Sequence, residues 1–151
     1  MSNKNVIQKV VLGGVVIKDN KILIVQRNMN EDIFPGLWEL PSGKKEDLET
    51  AEASLIREVK EETGLDVMPI IPFNVFNYQI EKIDVIKDST QINYLVKPVN
   101  DQDKLNVILS DEHQDYKWVG INEMDAYNLS DSTKLVLKQA FKMAPMIVGK
   151  Y

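Results

Sequence analysis

Residues 43–65 read GKKEDLETAEASLIREVKEETGL. Ala51, Leu55, Ile56 and Val59 recur at helical spacing, which predicts a helix from about Thr50 to Thr63. Thr50 is of a type that caps a helix start, and Gly64 stands where a left-handed C-terminal cap belongs. The charges on this helix are awkwardly placed. Glu58, Glu61 and Glu62 fall in the last turns, where the helix dipole favours cations. Glu58 faces Glu61 at i,i+3 and Glu62 at i,i+4, so like charges stack on one side. Two accounts compete. One is a solvated face with Arg57 paired to Glu61; the other is a divalent cation, which takes oxygen ligands in this density.

The wider spacing decides between them. Gly43, five residues, Glu49, seven residues and then Arg57-Glu58-Val59-Lys60-Glu61-Glu62-Thr63-Gly64-Leu65 resembles the Nudix box at every defined position. The pattern fixes several identities across 23 positions, which a chance match rarely does. The likeness continues on both sides. Phe34-Pro35-Gly36-Leu37-Trp38-Glu39-Leu40-Pro41-Ser42-Gly43-Lys44 resembles the segment that precedes the box in this family. Many relatives carry two glycines where this chain has Ser42-Gly43, and there the carbonyl at the Ser42 position often binds metal. Any residue supplies a carbonyl, so the exchange concerns a left-handed backbone angle, which serine tolerates poorly. Downstream, Leu109 to Gly120 (LSDEHQDYKWVG) resembles a second family feature, a loop carboxylate six positions before a strand Trp. Glu112 stands six before Trp118. His113, the only histidine, reads as part of that loop's structure rather than as a catalyst.

Composition sets the bounds. A chain of 151 residues is long enough for one domain with a real core, expected here to span 1–151. Hydrophobic residues make up 44% and charged ones 27%, the balance of a soluble globular protein. The formal net charge of −5 argues against a footprint for long nucleic acids. Small polyphosphates remain open to an acidic protein if bound metal supplies local positive charge. No cysteine is present, which excludes a disulfide framework and a thiol nucleophile and suits a cytoplasmic location. The opening MSNKNVIQKV has no apolar run of signal-peptide length, and Val10 to Ile17 is too short to span a bilayer.

Along the chain, β-branched Val10 to Ile17 predicts a strand buried on both faces. Asp19-Asn20 makes a turn into a second strand, Lys21 to Arg27, and residues 28–32 form a polar loop. Leu37 to Leu40 alternates and allows a short strand, halted by Pro41, with Trp38 in the core. Residues 66–71 and 73–83 predict strands joined across Pro72, residues 81–90 a polar hairpin connection, and Gln91 to Val99 a further strand. Asn100 to Asn106 is a polar loop. Ser132 to Ala144 is helical, with Leu135, Val136, Gln139, Ala140 and Met143 on one mostly apolar face. Strands interleaved with two helices predict a layered α/β design. The resemblance implies the Nudix α/β/α sandwich, a mixed β-sheet with helices on both faces.

Splitting a phosphoanhydride requires charge offset on the phosphoryl oxygens and an activated water, which divalent metals supply. The resemblance therefore implies hydrolysis, with Mg²⁺ or Mn²⁺, of a nucleoside diphosphate linked to another group. Substrates of that kind include nucleoside triphosphates, nucleotide sugars and dinucleoside polyphosphates. Glu58, Glu61, Glu62 and Glu112 are the expected catalytic carboxylates. By the same resemblance Glu58, Glu62 and Glu112 are the expected metal ligands, with the carbonyl of Ser42, and either Glu61 or Glu112 is the expected general base. Glu49 and Arg57 pair behind them to orient the ligands. Arg27, at a strand end where the family places a basic residue, and Lys44 are expected at substrate phosphates. The main alternative is a nucleotide-binding module that senses without cleaving. The partner is then a small nucleotide, with no membrane, and a homodimer is one option for the assembly.

Overall fold

The computed structural model describes residues 3–100 and 105–147. Its organising strand is β1 (Asn5–Lys18), longer than the apolar run that predicts it. From Val11 to Ile17 every residue is buried, as a strand covered on both faces demands. Asp19 and Asn20, both at positive φ, turn the chain into β2 (Lys21–Arg27). After β3 (Trp38–Glu39) and β4 (Ser42–Lys44) comes helix α1 (Ala51–Thr63). The Thr50 hydroxyl accepts the Ala53 N–H at 3.1 Å, and Gly64 closes the helix at φ 74° with its N–H on the Lys60 carbonyl.

Strands β5 (Val67–Glu81) and β6 (Val85–Pro98) form a long hairpin. The two strands expected on either side of Pro72 are one, and its register shifts at Pro69/Ile71 and Pro72/Asn74. Proline has no N–H for the ladder, and the irregularities absorb that loss. The polar residues expected as a connection are mostly strand: only residues 82–84 turn. Pairing on both sides of β6 supplies what their composition does not. Of the loop expected over Asn100 to Asn106, residues 101–104 lie outside the described residues.

Strand β7 (His113–Val119) pairs with β2, and helix α2 (Asp131–Ile147) ends the described chain. The sheet has seven strands in the order β3-β2-β1-β6-β5, with β4 on β1 and β7 on β2. It is mixed, because β1 and β6 run parallel from Asn5/Val85 to Val16/Val96. Alternate residues of β1 feed two cores. Leu12 and Val16 pack with Leu55 and Val59 of α1, while Val15 and Ile17 pack with Val136, Leu137 and Ala140 of α2. Helices thus cover both faces. On α2 the buried stripe is Thr133, Val136, Leu137, Ala140 and Ala144, and Leu135 is exposed. The expected face was turned by one position, since Leu135-Val136-Leu137 offers three apolar neighbours and docking selects two. Trp38 is buried and meets Tyr127 edge to face, with centroids 5.0 Å apart. Among the described residues no helix is long and apolar enough to cross a membrane.

Candidate active site

The loop–helix–loop over residues 43–65 is braced by one arginine. Arg57 donates from Nε and Nη2 to the two oxygens of Glu49, at 2.9 and 2.8 Å. Its Nη1 reaches Glu58 Oε1 at 2.8 Å and its Nη2 the Lys44 carbonyl at 3.3 Å. Glu49 also accepts from the Ser54 hydroxyl and the Glu46 N–H. These bonds, Arg57 foremost, hold the Glu49 carboxyl down at about pKa 2 and push the Arg57 guanidinium up. A bidentate fork of this kind fixes orientation as well as charge. Glu61, by contrast, is exposed and only 3.4 Å from Arg57 Nη1, a loose surface pairing.

Glu62 turns the other way. It is 5% exposed, and its Oε1 accepts the Ser42 N–H at 2.8 Å. Burial drives its carboxyl up to about pKa 9 against that hydrogen bond, with Glu39, Glu112 and Glu58 adding repulsion. Glu58 is also raised by burial, while Arg57 pulls it back. A buried carboxyl with carboxylate neighbours is costly unless a cation joins it. Ser42 lies in the extended strand β4, opposite Gly13, so no left-handed angle strains the serine.

Glu112 arrives from the turn before β7. Asn28 holds that turn, its N–H bonding the Glu112 carbonyl at 3.1 Å and its side chain the Asp111 carbonyl. The Ser110 N–H reaches back to the Glu62 carbonyl at 3.4 Å. Carboxylate oxygens of Glu62 and Glu112 and a ring nitrogen of His113 come within 4.8 Å of one another. His113 is buried at the start of β7, and its Nε2 meets Glu39 Oε2 at 2.8 Å. Glu39 is the site neighbour that sequence reasoning passed over, and His113, read there as loop structure, instead starts β7 beside the carboxylates. Alternation in Leu37–Leu40 does place Glu39 on the face away from Trp38 and Leu40, which was the available signal.

Arg27 is engaged within the protein. Its Nε donates to the Ile33 carbonyl at 2.9 Å, and its guanidinium sits 3.5 Å from Glu39 and 3.7 Å from Glu31. Lys44 stands exposed on β4 at the edge of a cleft of about 530 Å³, which Ser42, Glu62 and Glu112 also line. Across that cleft Phe76 and Tyr78 form an aromatic wall, with centroids 6.1 Å apart.

A curled mixed sheet between two helices, with a loop–helix–loop bringing Glu62 to a cleft that Glu112 also lines, is the architecture of a metal-assisted hydrolase. The chain belongs to the Nudix family: the family model described as the NUDIX domain matches residues 8–140. The nucleoside triphosphatase NudI of Salmonella agona is 31% identical over 135 residues, covering 86% of this chain and 94% of that protein. Among solved structures, a MutT NUDIX hydrolase from Burkholderia pseudomallei aligns with a TM-score of 0.72 at 23% identity, over 88% of this chain and 98% of that one. An ADP-ribose pyrophosphatase from Streptococcus suis aligns at 0.64 and 22%, over 90% and 91%. At such identities these two likenesses speak for the fold. Nudix hydrolases use divalent metals, and the donors here fit a hard cation. Two of the three converging donors are carboxylate oxygens, one of them buried at a cost that a cation removes, and the third is the His113 ring nitrogen.

Proposed function

We propose that this protein hydrolyses a phosphoanhydride bond in a nucleoside diphosphate linked to another group, using Mg²⁺ or Mn²⁺, with nucleoside triphosphates as the first substrates to test. The observation that carries the reading is the convergence of Glu62 and Glu112 at one end of a cleft whose wall is Phe76 and Tyr78. The relative from Salmonella agona, described as a nucleoside triphosphatase, supports that choice of substrate. Glu58, Glu62 and Glu112, with the Ser42 carbonyl, would hold the metal. Bound there, a divalent cation would supply Lewis-acid offset of the phosphoryl charge and lower the pKa of the attacking water. The chain's own groups do the remainder. The Ser42 N–H fixes one oxygen of Glu62, and the Glu49–Arg57 fork keeps Glu58 in place. Of the two candidate bases we favour Glu112, which lines the cleft beside Glu62, over Glu61, which pairs with Arg57 outside it. It takes the proton of the attacking water as the P–O bond to the leaving phosphate breaks. Lys44 meets the phosphates, and Arg27, which also lines the cleft, braces Glu39 and the 28–36 loop beside them. The aromatic wall takes the nucleoside.

A screen of nucleoside triphosphates, nucleotide sugars and dinucleoside polyphosphates with each metal, products resolved by chromatography, tests this reading. Absence of phosphate or pyrophosphate release from every compound, with binding retained, would leave a sensing module instead. Glu112→Gln is expected to lower kcat far more than it raises KM, since the proton transfer is lost while the pocket keeps its shape. An unchanged kcat would return Glu112 to the surface of its loop.

A further inference from the structure

Strand register arranges the sheet side of the cleft in rows. Val11 stands opposite Gln91 on β6 and Lys44 on β4, and Gln91 opposite Phe76 on β5. Two residues further along, Lys9 is opposite Ser89, and Ser89 opposite Tyr78; beyond them Lys87 is opposite Ile80. Paired residues share a face, as do residues two apart on a strand. Lys44, Lys9 and Lys87 all line the cleft. At ~3.3 Å per residue, the Lys87 row lies ~13 Å from the Lys44 row, on the far side of the aromatic wall from the carboxylates.

That far end gathers positive charge with nothing to answer it. Lys9 and Lys82 crowd Lys87 closely enough to push its ammonium toward the neutral form. Among the described residues no ion pair engages Lys9, Lys82 or Lys87. Of the acids near them in sequence, Asp84 is exposed in the 82–84 turn and does not line the cleft. Glu81 is paired with Lys4, and Asp88, adjacent to Lys87 on β6, points to the opposite face. In a chain of net charge −5, Lys9 and Lys87 line one end of a cleft whose lining carboxylates, Glu39, Glu62 and Glu112, belong to the other end, and this points to a polyvalent anion from outside.

We propose that the Lys9–Lys87 end of the cleft binds a second phosphate of the substrate, carried on the nucleoside side beyond the diphosphate that is cleaved. This rests on the nucleotide-hydrolase reading of the same cleft. By register, a triphosphate chain held at Glu62 and Ser42 falls short of the Lys87 row, whereas a phosphate esterified to the ribose of a nucleoside on the Phe76–Tyr78 wall would face that end. The divalent charge of a phosphate ester suits a pair of ammonium groups better than a single carboxylate would.

The test compares wild type with a Lys9→Met, Lys87→Met double variant, in which the apolar stems are kept. Substrates are a nucleoside 5′-triphosphate, the same compound with a 3′-phosphate, and a 5′-triphosphorylated dinucleotide, whose phosphodiester occupies the same place. Wild type should favour a phosphorylated substrate by about tenfold or more, through KM, as charge-assisted contacts give. The double variant should lose that preference, keep its rate on the plain triphosphate, and melt no lower, since repulsion is relieved. The two phosphorylated substrates separate a monoester from the next phosphate of an oligonucleotide. No preference in wild type for either overturns the proposal. So does an equal loss on all three substrates, which would assign the lysines to the cleaved phosphates. Calorimetry with a nucleoside 3′,5′-bisphosphate against the 5′-monophosphate makes the same comparison without turnover. Failure of hydrolysis is thereby distinguished from failure of the anion site.

Discussion

Glu62→Gln is expected to lower turnover ~10²-fold or more while the protein stays folded, as removal of a charge-stabilising group at the reacting centre does. Volume is conserved, and the amide oxygen can still accept the Ser42 N–H that Glu62 Oε1 accepts at 2.8 Å. What is lost is an anion. In chelator the same change should leave stability equal or raise it, because burial lifts the Glu62 carboxyl from 4.5 to about pKa 9. A folded pKa above the unfolded one fixes the sign. The stability this group contributes is complete below pH 4.5 and is lost as pH climbs toward 9. Chelated wild type should therefore weaken over that window relative to the Gln variant, and the gap should close in acid. Metal reverses the order. A cation at a hundred times its Kd adds about 2.7 kcal/mol to wild type if the unfolded chain does not bind it, and less to the variant. Thermal melts across pH, with chelator and with millimolar Mg²⁺ at fixed ionic strength, read both effects. A variant less stable than wild type in chelator yet equally stabilised by Mg²⁺ would make Glu62 a structural partner and move the metal elsewhere.

The parts of this molecule that were legible in sequence are those whose physics is local. Thr50 and Gly64 bound α1 because a hydroxyl cap and a left-handed glycine act within one turn. Lys21–Arg27 was readable as a strand because its apolar run is bracketed by Asp19-Asn20, a pair that accepts positive φ. The box carried the family because it fixes residue identities at fixed spacing. Illegible features depend on partners far along the chain. Val85 to Thr90 is too polar to look like strand, yet β1 and β5 pair with it on either side. Glu39 and His113 are 74 positions apart and meet only because β3 and β7 flank β2. Arg27 looked free for phosphate, and only the fold of the 28–36 loop reveals its bond to Ile33. The lysine rows across the cleft follow from register, which the sequence does not print.

Gly43→Ala is expected to impair metal binding and activity strongly while sparing the fold. The glycine is not there for its backbone angle, since Gly43 sits in extended β4 opposite Leu12. It is there for space. A Cβ on residue 43 would fall 1.9 Å from Glu58 Cδ and 2.0 Å from its Oε2. What must yield is the far end of a flexible side chain, so the backbone need not move and melting in chelator should change little. The Glu58 carboxylate, however, has to swing off the position where Arg57 holds it at 2.8 Å. Loss of an oriented ligand of this kind costs about 10–100-fold in metal affinity or activity. Calorimetric titration with Mn²⁺, beside a melt in chelator, separates the two consequences. Weakened metal binding with an unchanged melt supports Glu58 as a ligand that Gly43 makes room for. Unweakened Mn²⁺ binding would mean that Glu58 serves Arg57 and the loop alone, leaving the metal to Glu62 and Glu112.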